Sequence, residues 1–155
     1  MFEQYGEVSN SKTLAKHIVQ HRSHQSVQTI AQFKSMISAV VKGNPNKYLA
    51  QVFQALRIEV NDEMGALKEM LLQLTSLLKQ GGRVAIITFH SLEDRMVKNF
   101  FRNGSFEEEP ENPFETIVKQ KDWKLITKKP ITATEEELKK NPRSRSAKLR
   151  VAERF

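Results

Sequence analysis

The stretch RVAIITFHSLEDRMVKNFF, residues 83–101, determines the fold class. Its first seven residues are mainly apolar on both faces, which predicts a strand buried between layers of helices. The strand stops at His90, and a helix follows in which Ser91 and Asp94 have capping-box spacing. Open α/β sheets bind ligands at the carboxyl ends of their strands, so His90, Ser91 and Asp94 are candidate substrate-positioning residues. The alternative is that Ser91 and Asp94 only cap the helix while His90 satisfies a buried partner.

The residues before this stretch have the apolar spacing of helices. Three such segments are SKTLAKHIVQHR, SVQTIAQFKSMISAVVKG and NPNKYLAQVFQALRIEV. We expect Ser26 to cap the second helix and Asn44 the third, with Pro45 at its first position. A fourth helix, in NDEMGALKEMLLQLTSLLKQGG, is predicted to end at the glycine pair. We therefore assign residues 1–60 to a helical region and residues 61–155 to an α/β region.

Three further elements are predicted towards the carboxyl end. They are a strand in DWKLITKKPI, a short helix starting near Thr134 and a final strand in SAKLRVAERF. In the final strand Ala147, Leu149 and Val151 alternate with polar or basic residues, so one face is apolar and the other basic. The acidic segment GSFEEEPENPFE, residues 104–115, is predicted to be a flexible loop. The order corresponds to the second half of an α/β domain preceded by helices.

Half a domain leaves part of a sheet without a partner. Three strands with their helices expose at least one sheet face and one sheet edge, and such an edge invites association unless something covers it. Another chain completing the sheet, or a homodimer pairing two exposed edges or faces, would solve this problem. The alternative is that the chain is a piece of a longer protein.

Composition bounds the class of protein. The chain has 155 residues, 39% hydrophobic and 28% charged, which is typical of a single soluble globular domain. It has no cysteine, so disulfides and thiolate metal sites are excluded. No apolar run is long enough to cross a membrane, and the amino end does not have the pattern of a signal peptide. We expect a cytoplasmic protein with no membrane association.

The net charge of +7 is unevenly distributed. Residues 1–57 carry a net +5, residues 58–120 a net −4 and residues 121–150 a net +6. Two basic regions around an acidic middle indicate surfaces suited to a polyanion such as RNA. The alternative is that the lysines and arginines only keep the protein soluble.

The segment NPRSRSAKLR contains the clearest basic cluster. Arg143, Arg145, Lys148 and Arg150 are placed on a turn and on the polar face of the last strand, where they would suit phosphate contacts. The alternative is a solvated basic edge that prevents strand-to-strand association.

A metal site is not expected. The histidines of HIVQH stand one helical turn apart, but no glutamate follows the first of them, as it would in a zinc protease motif.

Four segments together closely resemble one protein family. They are FQALRIEVNDEMGAL, GGRVAIITFHSLEDRMVKNFF, TKKPI and NPRSRSAKLRVAER, and YGEVSNSKTLAKHIVQHR is also similar. The family is the bacterial S-adenosylmethionine-dependent methyltransferases of small-subunit ribosomal RNA that modify cytosine N4, called RsmH or MraW. The resemblance covers nearly the whole chain. The segment KYLAQV departs from the pattern of many relatives, so no role is transferred to it.

The resemblance implies a fold and a reaction. The fold would be the carboxyl-terminal part of a class I, Rossmann-like methyltransferase sheet in residues 61–155, preceded in residues 1–60 by the family's helical substrate-recognition insertion. The partner would be ribosomal RNA or the small ribosomal subunit, and the cofactor S-adenosylmethionine, with no metal. Arg57 and Asn61 join the substrate-positioning candidates.

The cofactor-binding half of the family would lie upstream of this chain. None of the six glycines forms a Gly-x-Gly turn after a strand, so no residue here is assigned to catalysis or to cofactor binding. We therefore predict that the chain alone does not transfer methyl groups. Two alternatives remain open: a non-enzymatic RNA-binding module derived from this fold, and a structural half that needs a partner polypeptide to complete its sheet.

Overall fold

A computed structural model describes residues 1–24, 26–106 and 122–155. The chain divides into two compact units, Met1–Glu63 and Met64–Phe155. Most of the acidic segment predicted to be a flexible loop lies outside the described residues. Among the helices that the structure describes, none is long and apolar enough to cross a membrane.

The first unit is helical. Its helices are α1 (Ser11–Arg22), α2 (Ile30–Ile37) and α3 (Pro45–Asn61). Asn44 caps α3 as predicted, since its side chain accepts hydrogen bonds from the next two free backbone N–H groups. The prediction that Ser26 caps α2 is wrong, because Thr29 and Gln32 form a complete capping box three residues later.

The core of the first unit lies where these helices meet. Its buried residues come from the three helices and, for the first two, from the amino-terminal segment: Phe2, Val8, Leu14, Ile37, Tyr48, Val52 and Ala55. Gly6 fits tightly beside α3, since a Cβ there would lie 2.7 Å from the carbonyl oxygen of Gln51. This contact explains why the amino-terminal turn needs a glycine at that position.

The second unit contains a four-stranded antiparallel sheet. Its elements are α4 (Glu63–Leu77, which begins at the unit boundary), β1 (Arg83–Thr88), α5 (Ser91–Asn103), β2 (Trp123–Leu125), β3 (Ile131–Thr132), α6 (Glu135–Lys140) and β4 (Lys148–Arg154). The strand order is β1-β4-β2. β2 pairs with the end of β4, and β3 pairs with its beginning. Because β1 and β2 both run antiparallel to β4, they run parallel to each other. The predicted α/β fold class is confirmed.

The segment predicted as one strand, DWKLITKKPI, is two short strands in the structure. Thr127 lies between them, and its Oγ1 accepts a hydrogen bond of 2.9 Å from the backbone N–H of Val151 on β4. A side chain thus replaces one backbone acceptor of the ladder, which interrupts the regular pairing with β4 between β2 and β3.

Helices α4 and α5 cover one face of the sheet. Leu71 of α4 and Val97, Phe100 and Phe101 of α5 pack with Trp123 and Ala152 from the strands. Ring centroids of Phe101 and Trp123 lie 5.3 Å apart at 59°, a favourable tilted arrangement. This layer is the core of the second unit.

Among the described residues the other face of the sheet carries exposed apolar side chains. We expected β1 to be buried on both faces, but Ile87 is 58% exposed and Phe89, just after the strand, is 57% exposed. The sequence placed Arg150 on a face of β4 suited to phosphate contacts, but its side chain is buried and bonded to Asp94 of α5. The apolar face carrying Leu149 is instead the more open one.

Candidate functional site

His90 and Glu93 cap the start of α5. The Nδ1 atom of His90 accepts a hydrogen bond of 3.3 Å from the backbone N–H of Glu93. Oε2 of Glu93 accepts in return from the backbone N–H groups of Phe89 and His90, at 2.8 and 3.2 Å. The expected capping pair of Ser91 and Asp94 is therefore wrong. Because Nδ1 is an acceptor, the neutral imidazole carries its proton on Nε2.

Asp94 is free to make a different contact, a buried ion pair with Arg150. Nε of Arg150 donates to Oδ1 of Asp94 at 2.6 Å, and the second guanidinium nitrogen donates to Oδ2 at 3.2 Å. The ammonium of Lys148 donates to the same Oδ2 at 3.2 Å. The arrangement joins the first turn of α5 to the beginning of β4.

Two opposing effects act on the pKa of Asp94. Burial favours the neutral acid and raises the pKa, but the hydrogen bonds and charges of Arg150 and Lys148 outweigh burial. The net result is a pKa below the ordinary aspartate value. At neutral pH the three side chains carry one negative and two positive charges. The cluster therefore presents a net positive charge through Lys148, whose side chain is 40% exposed.

Thr88 holds the two strands together next to this cluster. It is buried, pairs with Lys148 in the sheet register and donates a hydrogen bond of 3.3 Å from Oγ1 to the carbonyl oxygen of Lys148. The end of β1 and the beginning of β4 are thus held side by side at the same end of the sheet. His90 and Lys148 both lie at this end of the sheet.

Arg143 and Arg145 lie on the turn that leads into β4. The turn is a 3-10 helix, Pro142–Ser146, and both arginines are exposed. Ser144 between them is buried and donates a hydrogen bond of 2.7 Å to the carbonyl oxygen of Asn141, which stabilises the turn. The two guanidinium groups are therefore accessible to a polyanion.

Arg57 and Asn61 belong to the first unit. Arg57 forms a bidentate contact with Glu63 at 2.8 and 3.1 Å, and the Asn61 amide donates to the same carboxylate at 3.5 Å. Asp62, which follows Asn61, has a left-handed conformation with φ of 48° and ends α3. These contacts give Arg57 and Asn61 a structural role at the end of the helix, while their role towards a substrate stays a prediction.

The structure thus brings five of the predicted residues close together. Asp94, Lys148 and Arg150 are in direct contact, with His90 and Ser91 at the start of the same helix as Asp94. Sequence reasoning missed Glu93, although its spacing from His90 matches that of a capping box. It also missed Thr88, for which the local pattern contains no signal.

The second unit is thus an α/β fold in which polar side chains gather where β1 ends. The sequence model of the MraW methylase family matches residues 1–155. The chain belongs to this family.

Curated relatives agree with the family. The chain is 54% identical, over its whole length, to the ribosomal RNA small subunit methyltransferase H of Azobacteroides pseudotrichonymphae. It is 50% identical, over 99% of its length, to the proteins of the same name from Parabacteroides distasonis and Bacteroides thetaiotaomicron. The matches cover 51%, 50% and 51% of these relatives, so the chain spans about half their length.

Proposed function

We propose that this chain is the substrate-binding part of an S-adenosylmethionine-dependent methyltransferase that acts on the N4 amine of a cytosine in small-subunit ribosomal RNA. Membership of the MraW methylase family, over residues 1–155, carries the proposal. The names of the relatives support small-subunit ribosomal RNA as the substrate. A protein with this substrate would work in the cytoplasm, where bacterial ribosomal subunits are found.

The basic side chains at the β4 end of the sheet would hold the RNA backbone. Arg143 and Arg145 are exposed, and Lys148 keeps part of its surface in solvent while it contacts Asp94. Such groups suit the phosphates of a single-stranded loop, the kind of RNA that proteins read most readily. Arg150, which the sequence assigned to the same task, would act indirectly, because its guanidinium is occupied by Asp94.

Methyl transfer to an exocyclic amine sets requirements that positioning residues can meet. The base must be turned out of its stack, and the amine must point at the methyl group while an acceptor takes its proton. His90 and Ser91 lie at the carboxyl end of β1, where they could orient a flipped base. We propose substrate positioning, rather than proton transfer, as the task of these two residues.

The described residues do not fit the cofactor itself. Glycines precede β1, at Gly81 and Gly82, but Phe89 and His90 follow it. The backbone N–H groups of Phe89, His90 and Glu93, where α5 begins, are already bonded to side chains. A phosphate or carboxylate cradle of the Gly-x-Gly kind is therefore not formed here. We propose that S-adenosylmethionine is bound mainly by the half of the relatives that this chain does not match, and that the chain alone is inactive.

Two titrations test the proposal. The chain should bind a single-stranded RNA from the small subunit in a salt-dependent way, and it should show no heat with S-adenosylmethionine in a calorimeter. Adding the unmatched half of a relative should then produce methyl transfer. If the chain binds no RNA, the proposal fails. If it binds the cofactor one-to-one and methylates RNA alone, the proposed division between the two halves is wrong.

A further inference from the structure

Lys148 stands at the first position of β4, beside the end of β1. In the sheet register it pairs with Thr88, and Oγ1 of Thr88 donates a hydrogen bond of 3.3 Å to the carbonyl oxygen of Lys148. Thr88 is only 3% exposed, so this bond is largely shielded from water. The backbone from which the Lys148 side chain extends is therefore fixed by the ladder and by a buried hydroxyl.

The charged end of the Lys148 side chain is held as well. Its ammonium donates to Oδ2 of Asp94 at 3.2 Å, and the bidentate contact with Arg150 holds that carboxylate in turn. The Asp94 and Arg150 side chains are 11% and 9% exposed, so a shift of the carboxylate would leave a buried guanidinium without its counter-charge. The Lys148 side chain is 40% exposed. A flexible side chain is thus fixed at both ends while its charge stays accessible to solvent.

Charge balance does not require Lys148 at this carboxylate. Two N–H groups of Arg150 already bond the two oxygens of Asp94, and that pair is neutral. An additional contact with a lysine that is 40% exposed stabilises the fold little, because water screens it. What the contact changes is the position of the ammonium, which it holds 3.2 Å from a fixed oxygen atom.

An ammonium fixed in this way is prepared to bind an anion. It has three N–H donors, and the contact with Asp94 uses one of them. A phosphate offers several oxygen atoms that can accept from the others. A free lysine loses rotamer freedom when it binds a ligand, whereas Lys148 has already lost much of that freedom on folding. Binding of a phosphate here should therefore cost less conformational entropy than binding at an unrestrained side chain.

The position of this ammonium matches the proposed RNA site. Lys148 comes two residues after the turn that carries the exposed Arg143 and Arg145. Through its pairing with Thr88 it also lies at the end of the sheet where α5 begins with Ser91. Lys148 thus adjoins both the proposed phosphate-binding turn and the proposed base-positioning residues.

We infer that Asp94 is a positioning residue: held by Arg150, it keeps the ammonium of Lys148 in place for one phosphate of the RNA. The inference rests on the proposed function, and it has Asp94 act through Lys148 instead of touching the substrate. It predicts a sign that charge alone does not. Removing the negative charge of Asp94 should weaken RNA binding, whereas attraction between a more positive protein and a polyanion would by itself strengthen it.

Affinity for RNA tests the inference. A single-stranded RNA from the small subunit, labelled at one end with fluorescein, is titrated with the full chain and its variants and followed by fluorescence anisotropy. Asp94→Asn should bind about two- to tenfold more weakly, the factor that corresponds to ordering one side chain. Its slope of log affinity against log salt should stay unchanged, since Lys148 still reaches the phosphate. Lys148→Gln should bind more weakly still and lose about 0.7 of that slope.

The double variant separates an action through Lys148 from an action of Asp94 by itself. Asp94→Asn combined with Lys148→Gln should bind as weakly as Lys148→Gln alone, because the carboxylate then has no ammonium to position. Losses that add in full would overturn the inference.

Glu153→Gln is the matched control. Glu153 is also a carboxylate with one arginine and one lysine, Arg83 at 2.7 Å and Lys124 at 3.5 Å. It pairs with Arg83 at the start of β1, so it lies towards the opposite end of β4 from Lys148. The variant removes the same negative charge without disturbing Lys148, and it should bind RNA as tightly as the unchanged chain or slightly more tightly.

Circular dichroism establishes that each variant is folded. Should Asp94→Asn not fold, NMR relaxation of the Lys148 ammonium in the unchanged chain takes its place. The inference predicts an ammonium that is as ordered in the free chain as in the RNA complex. An ammonium that is mobile in the free chain and becomes ordered only with RNA overturns it.

The outcomes separate the inference from the proposed function. An unchanged chain that binds no RNA overturns both. A chain that binds RNA with the expected salt dependence, while Asp94→Asn binds equally well or more tightly, overturns only the inference.

Discussion

Asp94 at the start of α5 and Arg150 on β4 form a bidentate ion pair, with contacts of 2.6 and 3.2 Å. Their side chains are only 11% and 9% exposed. The pair joins the helix to the central strand of the sheet, and Lys148 adds a second positive charge at the same carboxylate. A charge buried in this way is costly if its partner is removed.

Removal of the Asp94 charge should therefore destabilise the fold. We expect Asp94→Asn to lower the free energy of unfolding by about 3 kcal/mol, because it leaves the guanidinium of Arg150 buried without its counter-charge. Urea denaturation followed by circular dichroism measures this loss. The control is Glu136→Gln, which breaks an exposed pair with Lys140 on α6 and should cost no more than about 0.5 kcal/mol. Similar losses in the two variants would show that the buried pair stabilises the fold no more than the exposed one.

The same pair should give the stability a pH dependence in acid. The pKa of Asp94 is lower in the folded chain than its ordinary value, so its contribution is complete above roughly pH 4, the region of the unfolded pKa. The contribution is lost as the pH falls towards the folded pKa. The stability difference between the unchanged chain and Asp94→Asn should consequently shrink as the pH falls below about 4. A difference that stays constant over this range would contradict the lowered pKa.

The cap of α5 distinguishes the structure from the sequence-based expectation. His90→Ala removes the acceptor for the Glu93 backbone N–H and should cost about 1 kcal/mol, whereas His90→Asn can restore a cap and should cost less. Ser91→Ala, at an exposed position in the first turn, should change stability by less than about 0.5 kcal/mol. Thermal unfolding of the three variants gives the ranking. A larger loss for Ser91→Ala than for His90→Ala would mean that Ser91 is the cap.

Arg143 and Arg145, the exposed arginines of the turn before β4, should contact RNA phosphates directly. Arg143→Gln and Arg145→Gln should each weaken binding and reduce the slope of log affinity against log salt by about 0.7, the value for one phosphate contact with a single strand. Lys79→Gln removes an equal charge just before β1, at the end of that strand far from His90, and should leave the slope unchanged. Fluorescence anisotropy at several salt concentrations measures the slopes.

Arg150→Gln provides a further contrast with these variants. Because Arg150 is paired with Asp94, its replacement should lower stability and should not reduce the salt slope of the folded protein. A slope reduced as much as in Arg143→Gln, without loss of stability, would mean that Arg150 contacts phosphate directly.

The strand β1 and the helix α5 were predictable because their patterns are long and regular. The cap of α3 at Asn44 and that of α6 at Thr134 were also predictable, since the residue types that cap helices are few. The start of α2 was misjudged because Ser26 and Thr29 are both good caps, and only the complete box with Gln32 favours the later one. At α5 an unusual cap, His90, left Asp94 free for a contact with a residue far along the chain.

By itself the sequence determined the order of the elements, the α/β class, the family and the alternation of apolar and basic residues along the last strand. Only the tertiary structure decided which face of that strand meets the helices. Alternation separates two faces but does not say which one is covered, because that depends on which side α5 crosses and on where Asp94 places its charge. The ion pair holds Arg150 on the face covered by α5, and Leu149 and its register partner Ile87 lie on the opposite face.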